Sequence, residues 1–150
     1  FEKEKSAIEA AASELFLKLE HVGSTAVTGL PAKPIIDIAI AVERLDFVNA
    51  LRPVLERLNY IYRGDCGPDG GGHLFVKECS PLVRTHHVHV VQINDPQWDN
   101  YIRFRDLLRS NPTARSNYAK LKQELASLHS NDRNAYTKSK TDLIKKLIGN

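Results

Sequence analysis

The stretch IIDIAIAV, residues 35–42, decides the fold. Ile36, Ile38, Ile40 and Val42 fall on one face of an extended chain, and Asp37, Ala39 and Ala41 on the other. This is the strongest strand signal in the sequence. Upstream lies a loop punctuated by Gly29, Pro31 and Pro34, each proline biasing the residue before it towards an extended backbone. Further back, residues 17–22 alternate like a short strand that delivers the chain into Gly23-Ser24, and residues 2–16 are rich in helix formers.

Downstream, Phe47, Val48, Leu51, Val54, Leu55 and Leu58 form an apolar stripe at the 3.6-residue period, predicting a helix over 46–58. Asp46 is placed to cap it, and Pro53 predicts a kink or a shortened first half. A short strand is expected at 60–63. The run GDCGPDGGG, residues 64–72, holds five glycines and a proline and reads as a loop. Strands at 73–77 and 84–93, joined by a short segment around Pro81, predict an antiparallel hairpin. Beyond Asp95 the periodicity is helical. Trp98, Tyr101, Ile102, Arg105 and Leu108 mark one helix, and Tyr118, Leu121, Leu125 and Leu128 the seam of a second. Asn131-Asp132 opens a third. The fold class is therefore α/β (α+β): a small mixed β-sheet with helices packed on one face and a helical C-terminal third, in a single domain spanning 1–150.

Composition narrows the function classes. The chain has 150 residues, 42% hydrophobic and 26% charged, which is ordinary for one globular domain. A formal net charge of +3 tolerates a phosphate-bearing ligand, and the absence of an aromatic-interleaved basic stripe argues against nucleic acid. No apolar run reaches the roughly 18 residues of a membrane span, and no signal peptide opens the chain. Cys66 and Cys79 are too few for a disulfide framework and lack metal-ligand spacing, so a reducing cytoplasm is expected. With no methionine and Phe1 at its start, the sequence reads as a trimmed segment.

Two constellations carry chemistry. Twelve residues separate Gly23-Ser24 from Asp37. Glycine lets backbone N–H groups approach a phosphate closely, the Ser24 and Thr25 hydroxyls donate to its oxygens, and a strand acid holds the bridging cation. The second is the run at His86, His87 and His89: on a strand, His87 and His89 share a face opposite Val88 and Val90. If those valines and the isoleucine row face the helical layer, Asp37, His87 and His89 meet on the open face. They would form a divalent metal site, with imidazole favouring Mn²⁺ or Zn²⁺ over Mg²⁺. Neutral His89 would alternatively serve as a general base, and sheet-face histidines paired with backbone or carboxylates are a structural alternative. Lys33 and Arg84 are candidate phosphate contacts, or charged loop and strand-end residues. The Tyr118 stripe reads as core, and Lys138, Lys140, Lys145 and Lys146 as a solvated face or the lining of a cleft.

The Gly-Ser pair followed by a strand acid resembles the signature of the nucleotidyltransferase superfamily related to DNA polymerase beta. EHVGSTAVTGLPAKPIIDIAIAV (residues 20–42), RTHHVHV (84–90), FRDLLRSNP (104–112) and AYTKSKTDLI (135–144) together closely resemble the GrpB-like family. That resemblance implies a nucleotidyltransferase-like fold in a cytoplasmic protein, sometimes fused to a dephospho-coenzyme A kinase. Active nucleotidyltransferases present two acids on the first strand, spaced Asp-x-Asp or Asp-x-Glu, and a third on a later strand. Here Ala39 stands in the second place. Two unit charges ~4 Å apart interact by roughly 4 kcal/mol at an effective dielectric near 20, so losing one carboxylate weakens cation binding. The expected function is metal-dependent nucleotidyl transfer from a nucleotide to a small-molecule acceptor, using Mg²⁺, Mn²⁺ or Zn²⁺. The alternative is a catalytically inactive nucleotide- or coenzyme-binding regulatory module.

Overall fold

In the computed structural model, which describes residues 1–67, 72–129 and 132–149, the centre is a five-stranded mixed sheet in the order β1-β2-β5-β4-β3. Its strands are β1 (Lys18–Val22), β2 (Ile36–Val42), β3 (Tyr60–Asp65), β4 (His73–Ser80) and β5 (Val83–Gln92). β2 runs parallel to β5 and antiparallel to β1, and β3, β4 and β5 follow one another antiparallel. The hairpin expected around Pro81 is present, Ser80 facing Val83. The glycine-rich loop read at 64–72 is partly strand, since β3 runs on to Asp65; residues 68–71 and Asn131 lie outside the described residues.

The isoleucine row of β2 does what its alternation requires. Ile38, Ile40 and Val42 are fully buried with Val88 and Val90 of β5 and Phe75 of β4, beneath helices α1 (Glu2–Ala12) and α2 (Phe47–Arg57). α2 continues through Pro53, so the shortening expected there does not occur. An internal proline costs about 3 kcal/mol. Val48, Leu51, Val54 and Leu55 are all buried on this helix, at roughly 1.5–3 kcal/mol for each such side chain, and outweigh it. Asp46 sits at the helix start without capping it. Its carboxylate takes Arg44 Nη2 at 2.6 Å instead.

The opposite face, expected to be open, is roofed along part of its width. The helical C-terminal third consists of α3 (Pro96–Ser110), α4 (Pro112–Leu128) and α5 (Arg133–Ile148). Each begins on a side-chain cap, from Asp95, Asn111 and Asp132 to the backbone N–H of Gln97, Ala114 and Ala135. Alanine at 39 and 41 leaves room for α3 to approach, and Val22, Ala39, Ala41, Val91 and Trp98 form one buried cluster. Arg105, in the apolar stripe of α3, straps the helix to β1. Its Nη1 donates to Glu20 Oε2 at 2.7 Å and to the His21 carbonyl at 3.2 Å. Glu20 therefore pairs across the layers. Four residues on, Arg109 Nε donates to the Ala26 carbonyl at 2.8 Å. A second core, with Leu108, Tyr118 and Ile148, joins these helices to Val27 and Leu30 in the loop before β2. No helix among the described residues is long and apolar enough to cross a membrane.

α1 is fixed to the sheet by charge as well as by Ile8 and Ala12. Glu4 accepts Lys77 Nζ on both oxygens, at 2.9 and 2.8 Å, and the Tyr60 hydroxyl at 2.9 Å. Burial alone would raise the Glu4 carboxyl, but the Lys77 and Tyr60 hydrogen bonds outweigh it and hold it below its ordinary value of 4.5. A carboxyl lowered on folding stabilises above that ordinary value, and the contribution is lost as pH falls through the folded-state pKa. Glu4→Gln is expected to cost about 1–3 kcal/mol at neutral pH in urea unfolding. The gap from the unsubstituted protein should narrow once the pH drops below 4.5. A gap that widens on acidification would contradict this account.

Candidate functional site

The parallel register of β2 and β5 sets Asp37 opposite His87 and Ala39 opposite His89, all on the face beneath α3. His86, paired with Ile36, points to the α1 side and takes no part. His87 Nδ1 donates to Asp37 Oδ1 at 3.0 Å, and His89 Nε2 stands 3.9 Å from the same oxygen. Burial pushes the Asp37 carboxyl up. The His87 hydrogen bond, the approach of His89 and the charge these rings carry when protonated outweigh it, so the carboxyl is held far below the usual carboxylate range. Asp37 is thus a fixed anion, with 28% of its side chain accessible.

These three side chains fit a divalent cation. One carboxylate oxygen and two imidazole nitrogens lie within 4.8 Å of one another, a donor set suited to Mn²⁺, Zn²⁺ and similar metals. The other ring nitrogens, His87 Nε2 and His89 Nδ1, are buried without a hydrogen-bond partner among the described residues. The rings are therefore committed through the nitrogens that face Asp37.

The Gly23-Ser24 turn closes over the same carboxylate. Val22, the last residue of β1, pairs with Asp37, and Gly23 leaves the strand with φ +70°. A Cβ at position 23 would lie 2.5 Å from Asp37 Oδ2. Glycine here serves the approach to the acid as well as the turn. A cavity of about 220 Å³ opens from this point, bounded by Gly23, Ser24, Asp37 and His89 on the sheet side and by α3, α4 and α5 on the other. Tyr101 and Tyr118 line it, and Lys140 and Lys145 enter from α5. Asp37 is the one carboxylate among the described lining residues against two lysines, a balance that favours an anionic ligand.

Of the residues singled out from the sequence, Gly23, Ser24, Asp37 and His89 line the cavity, with His87 on the Asp37 carboxylate. Thr25, Lys33 and Arg84 are not among its lining residues. The Thr25 hydroxyl is turned away, donating to the Ile35 carbonyl at 3.3 Å and meeting His21 Nε2 at 3.1 Å, so it braces the loop. Lys33 is exposed in that loop, and Arg84 faces Glu78 across the β-bulge at the hairpin end of β5. His73 lies over the α2 face against the Tyr62 hydroxyl, at 2.7 Å. Lys140 and Lys145 belong to the cleft, whereas Lys138 and Lys146 are exposed. Tyr118 is core and site together: it is buried, yet it lines the cavity beside Ser24, and burial pushes its hydroxyl up to about 12.

Lys122, which the sequence did not single out, lies one helical turn after Tyr118. Its Nζ donates to Ser24 Oγ and to the Pro31 carbonyl, both at 3.0 Å. The i, i+4 relation to a buried tyrosine was the available signal.

The Gly-Ser turn over a strand acid, beside an adjacent strand bearing two histidines, sits in an α/β domain of nucleotidyltransferase-like fold. Consistent with this, terminal uridylyl transferase 4 from Trypanosoma brucei, solved with bound CTP, shares the fold. The TM-score is 0.53 at 17% identity, over 83% of this chain and 39% of that one. Within that class the chain belongs to the GrpB family, whose description, GrpB protein, matches residues 1–150. The crystal structure of conserved protein GrpB from Enterococcus faecalis aligns with a TM-score of 0.83 and 39% identity, covering 99% of this chain and 88% of that one. The glutamate-rich protein GrpB of Alkalihalophilus pseudofirmus is 35% identical over 99% of this chain and 86% of its own length. A UPF0157 protein of Pseudomonas aeruginosa is 40% identical, and the chain spans 61% of its length.

Gly23→Ala is expected to cost about 1–3 kcal/mol, because an L side chain is strained at positive φ and its Cβ collides with the carboxylate. Truncating the acid removes the collision but not the strain. In a double-mutant cycle by urea unfolding, Gly23→Ala with Asp37→Ala should therefore lose less than the sum of the two single losses. Simple additivity would mean that the turn and the acid do not touch.

Proposed function

We propose that this domain catalyses metal-assisted transfer of a nucleotidyl group from a nucleoside triphosphate to a small-molecule acceptor. The observation that carries the reading is the convergence of Asp37, His87 and His89 beside a cavity that Lys140 and Lys145 also line. A cation held by Asp37 and the two histidines would neutralise phosphate charge and polarise the phosphorus under attack. The remaining groups position the substrate. Ser24 and the Gly23 turn stand beside Asp37 for a phosphate oxygen, and the two α5 lysines supply point charges along a polyphosphate. The apolar wall of Phe104, Ile144 and Ile148 excludes water from the transfer. A cavity of about 220 Å³ suits the phosphates better than a whole nucleotide, so the nucleoside would extend towards the mouth.

The second reading, a nucleotide-binding module without turnover, draws on Ala39. The residue is fully buried beside Ala41, Val91 and Trp98. The place of a second strand acid is occupied by the contact with α3, so a two-cation arrangement has no second carboxylate there.

Thermal shift and pyrophosphate release separate the two readings. With Mn²⁺ and each of the four nucleoside triphosphates, we expect a raised melting temperature and measurable pyrophosphate release, water taking the nucleotidyl group in place of the acceptor. Asp37→Asn, which keeps the shape and removes the charge, should reduce release by about 100-fold or more. Stabilisation without release under Mg²⁺, Mn²⁺ or Zn²⁺ would favour the binding module, and neither effect would dismiss both.

A further inference from the structure

Lys122 takes no part in the transfer proposed above, yet it is tied to the site more closely than a surface lysine would be. It is half-buried on α4, one turn after the buried Tyr118, and is not among the residues lining the cavity. Its Nζ donates to Ser24 Oγ at 3.0 Å, across 98 residues, and to the Pro31 carbonyl at 3.0 Å, across 91. An ammonium has three donors and no lone pair. The first bond therefore uses Ser24 Oγ as an acceptor and leaves the serine's own O–H to donate elsewhere. Ser24 lines the cavity beside Asp37, where a phosphate oxygen would take that proton. A hydroxyl whose oxygen is held by a cation is also the stronger donor, because linked hydrogen bonds polarise one another. The second bond fixes the place where this happens. Pro31 stands midway along the loop from Ser24 to β2, so Lys122 pins both the start and the middle of that loop to α4. Arg109 holds the same loop from α3 through a backbone oxygen, that of Ala26, at 2.8 Å.

We propose that Lys122 is a positioning residue for the nucleotide: its ammonium holds Ser24 so that the hydroxyl proton is presented to a phosphate oxygen, and it acts on the substrate through Ser24 rather than by touching it. The inference rests on the nucleotidyl-transfer reading and adds to it a coupling between the helical third and the Gly23-Ser24 turn. The phosphate-binding turn is then complete only when α4 is docked. Lys140 and Lys145, which do line the cavity, meet phosphate charge directly, and Lys122 sharpens the one hydroxyl that does so from the sheet side.

The test is binding of inorganic tripolyphosphate with Mn²⁺ to the full chain, by calorimetry, alongside pyrophosphate release from ATP, CTP, GTP and UTP. Tripolyphosphate carries the charges of the nucleotide without its base, so the result does not depend on which base the site prefers. Ser24→Ala removes the hydroxyl, and Lys122→Met keeps the reach of the side chain without its donors. Each should weaken tripolyphosphate binding about 10-fold, the worth of one charge-assisted hydrogen bond. Because one acts through the other, the double variant should bind no worse than either single variant, where independent contacts would give roughly 100-fold. Lys122→Arg keeps a charged donor and should recover most of the loss. Arg109→Met loosens the same loop from α3 and should combine with Ser24→Ala as an independent loss. In pyrophosphate release, Lys122→Met should raise KM about 10-fold with kcat nearly unchanged, whereas a partly unfolded preparation lowers kcat at constant KM. Independent losses at Ser24 and Lys122 overturn the proposal, and so does Lys122→Arg binding as weakly as Lys122→Met. Coupling of Arg109 to Ser24 as strong as that of Lys122 would reduce the lysine to a loop brace and overturn it too. In each of these cases, pyrophosphate release by the unsubstituted protein shows that the transfer reading survives. Absence of both binding and release in the unsubstituted protein overturns the transfer reading and the proposal with it.

Discussion

The Asp37 carboxylate is an anion kept inside the protein between a sheet and a helical layer, and the neighbouring architecture keeps it charged. A carboxylate taken out of water reverts to its neutral form unless partners make up for lost hydration. Here they come from the adjacent parallel strand, where His87 donates at 3.0 Å and His89 approaches to 3.9 Å. Those contacts exist because β2 and β5 pair in one register. A slip by one residue would send both imidazoles into the apolar core and bring Val88 onto the acid. The same register sets Ile38 beside Val88 and Ile40 beside Val90, so hydrophobic burial on one face enforces the polar arrangement on the other.

The second constraint is steric. Glycine at 23 and alanine at 39 and 41 are the places where side chains had to be small. The first lets the turn close on Asp37 Oδ2, and the others admit α3 against the sheet. Arg105 and Arg109 then fix α3 to β1 and to the turn through backbone carbonyls as well as through Glu20. The site is thus built from both ends of the chain. Its acid and imidazoles come from the sheet, its lysines and tyrosines from the helical third, and the cavity exists where the two meet.

This arrangement divides the labour differently from a site made of acids on one strand. A single carboxylate and two imidazoles offer a cation a donor set of lower negative charge. Lys140 and Lys145 line the cavity from the helical third, and Lys122 reaches Ser24 at its edge.

Much of the fold was legible because periodicity reports burial directly. The alternation of 35–42 gave β2, the hairpin around Pro81 and the helical third followed from local pattern, and the convergence of Asp37 with His87 and His89 followed from strand parity. Parity cannot say what lies above a face. The covering of that face by α3, the turning of Thr25 onto the Ile35 carbonyl and the pairing of Glu20 with Arg105 depend on how layers dock. Lys122 meets Ser24 across 98 residues, and no local pattern encodes that distance. By itself the sequence determined which residues face the same way along each element, because backbone geometry fixes that within a few positions. Only the tertiary structure decided which of those faces meet, because that depends on side-chain volumes and charges brought together from distant parts of the chain.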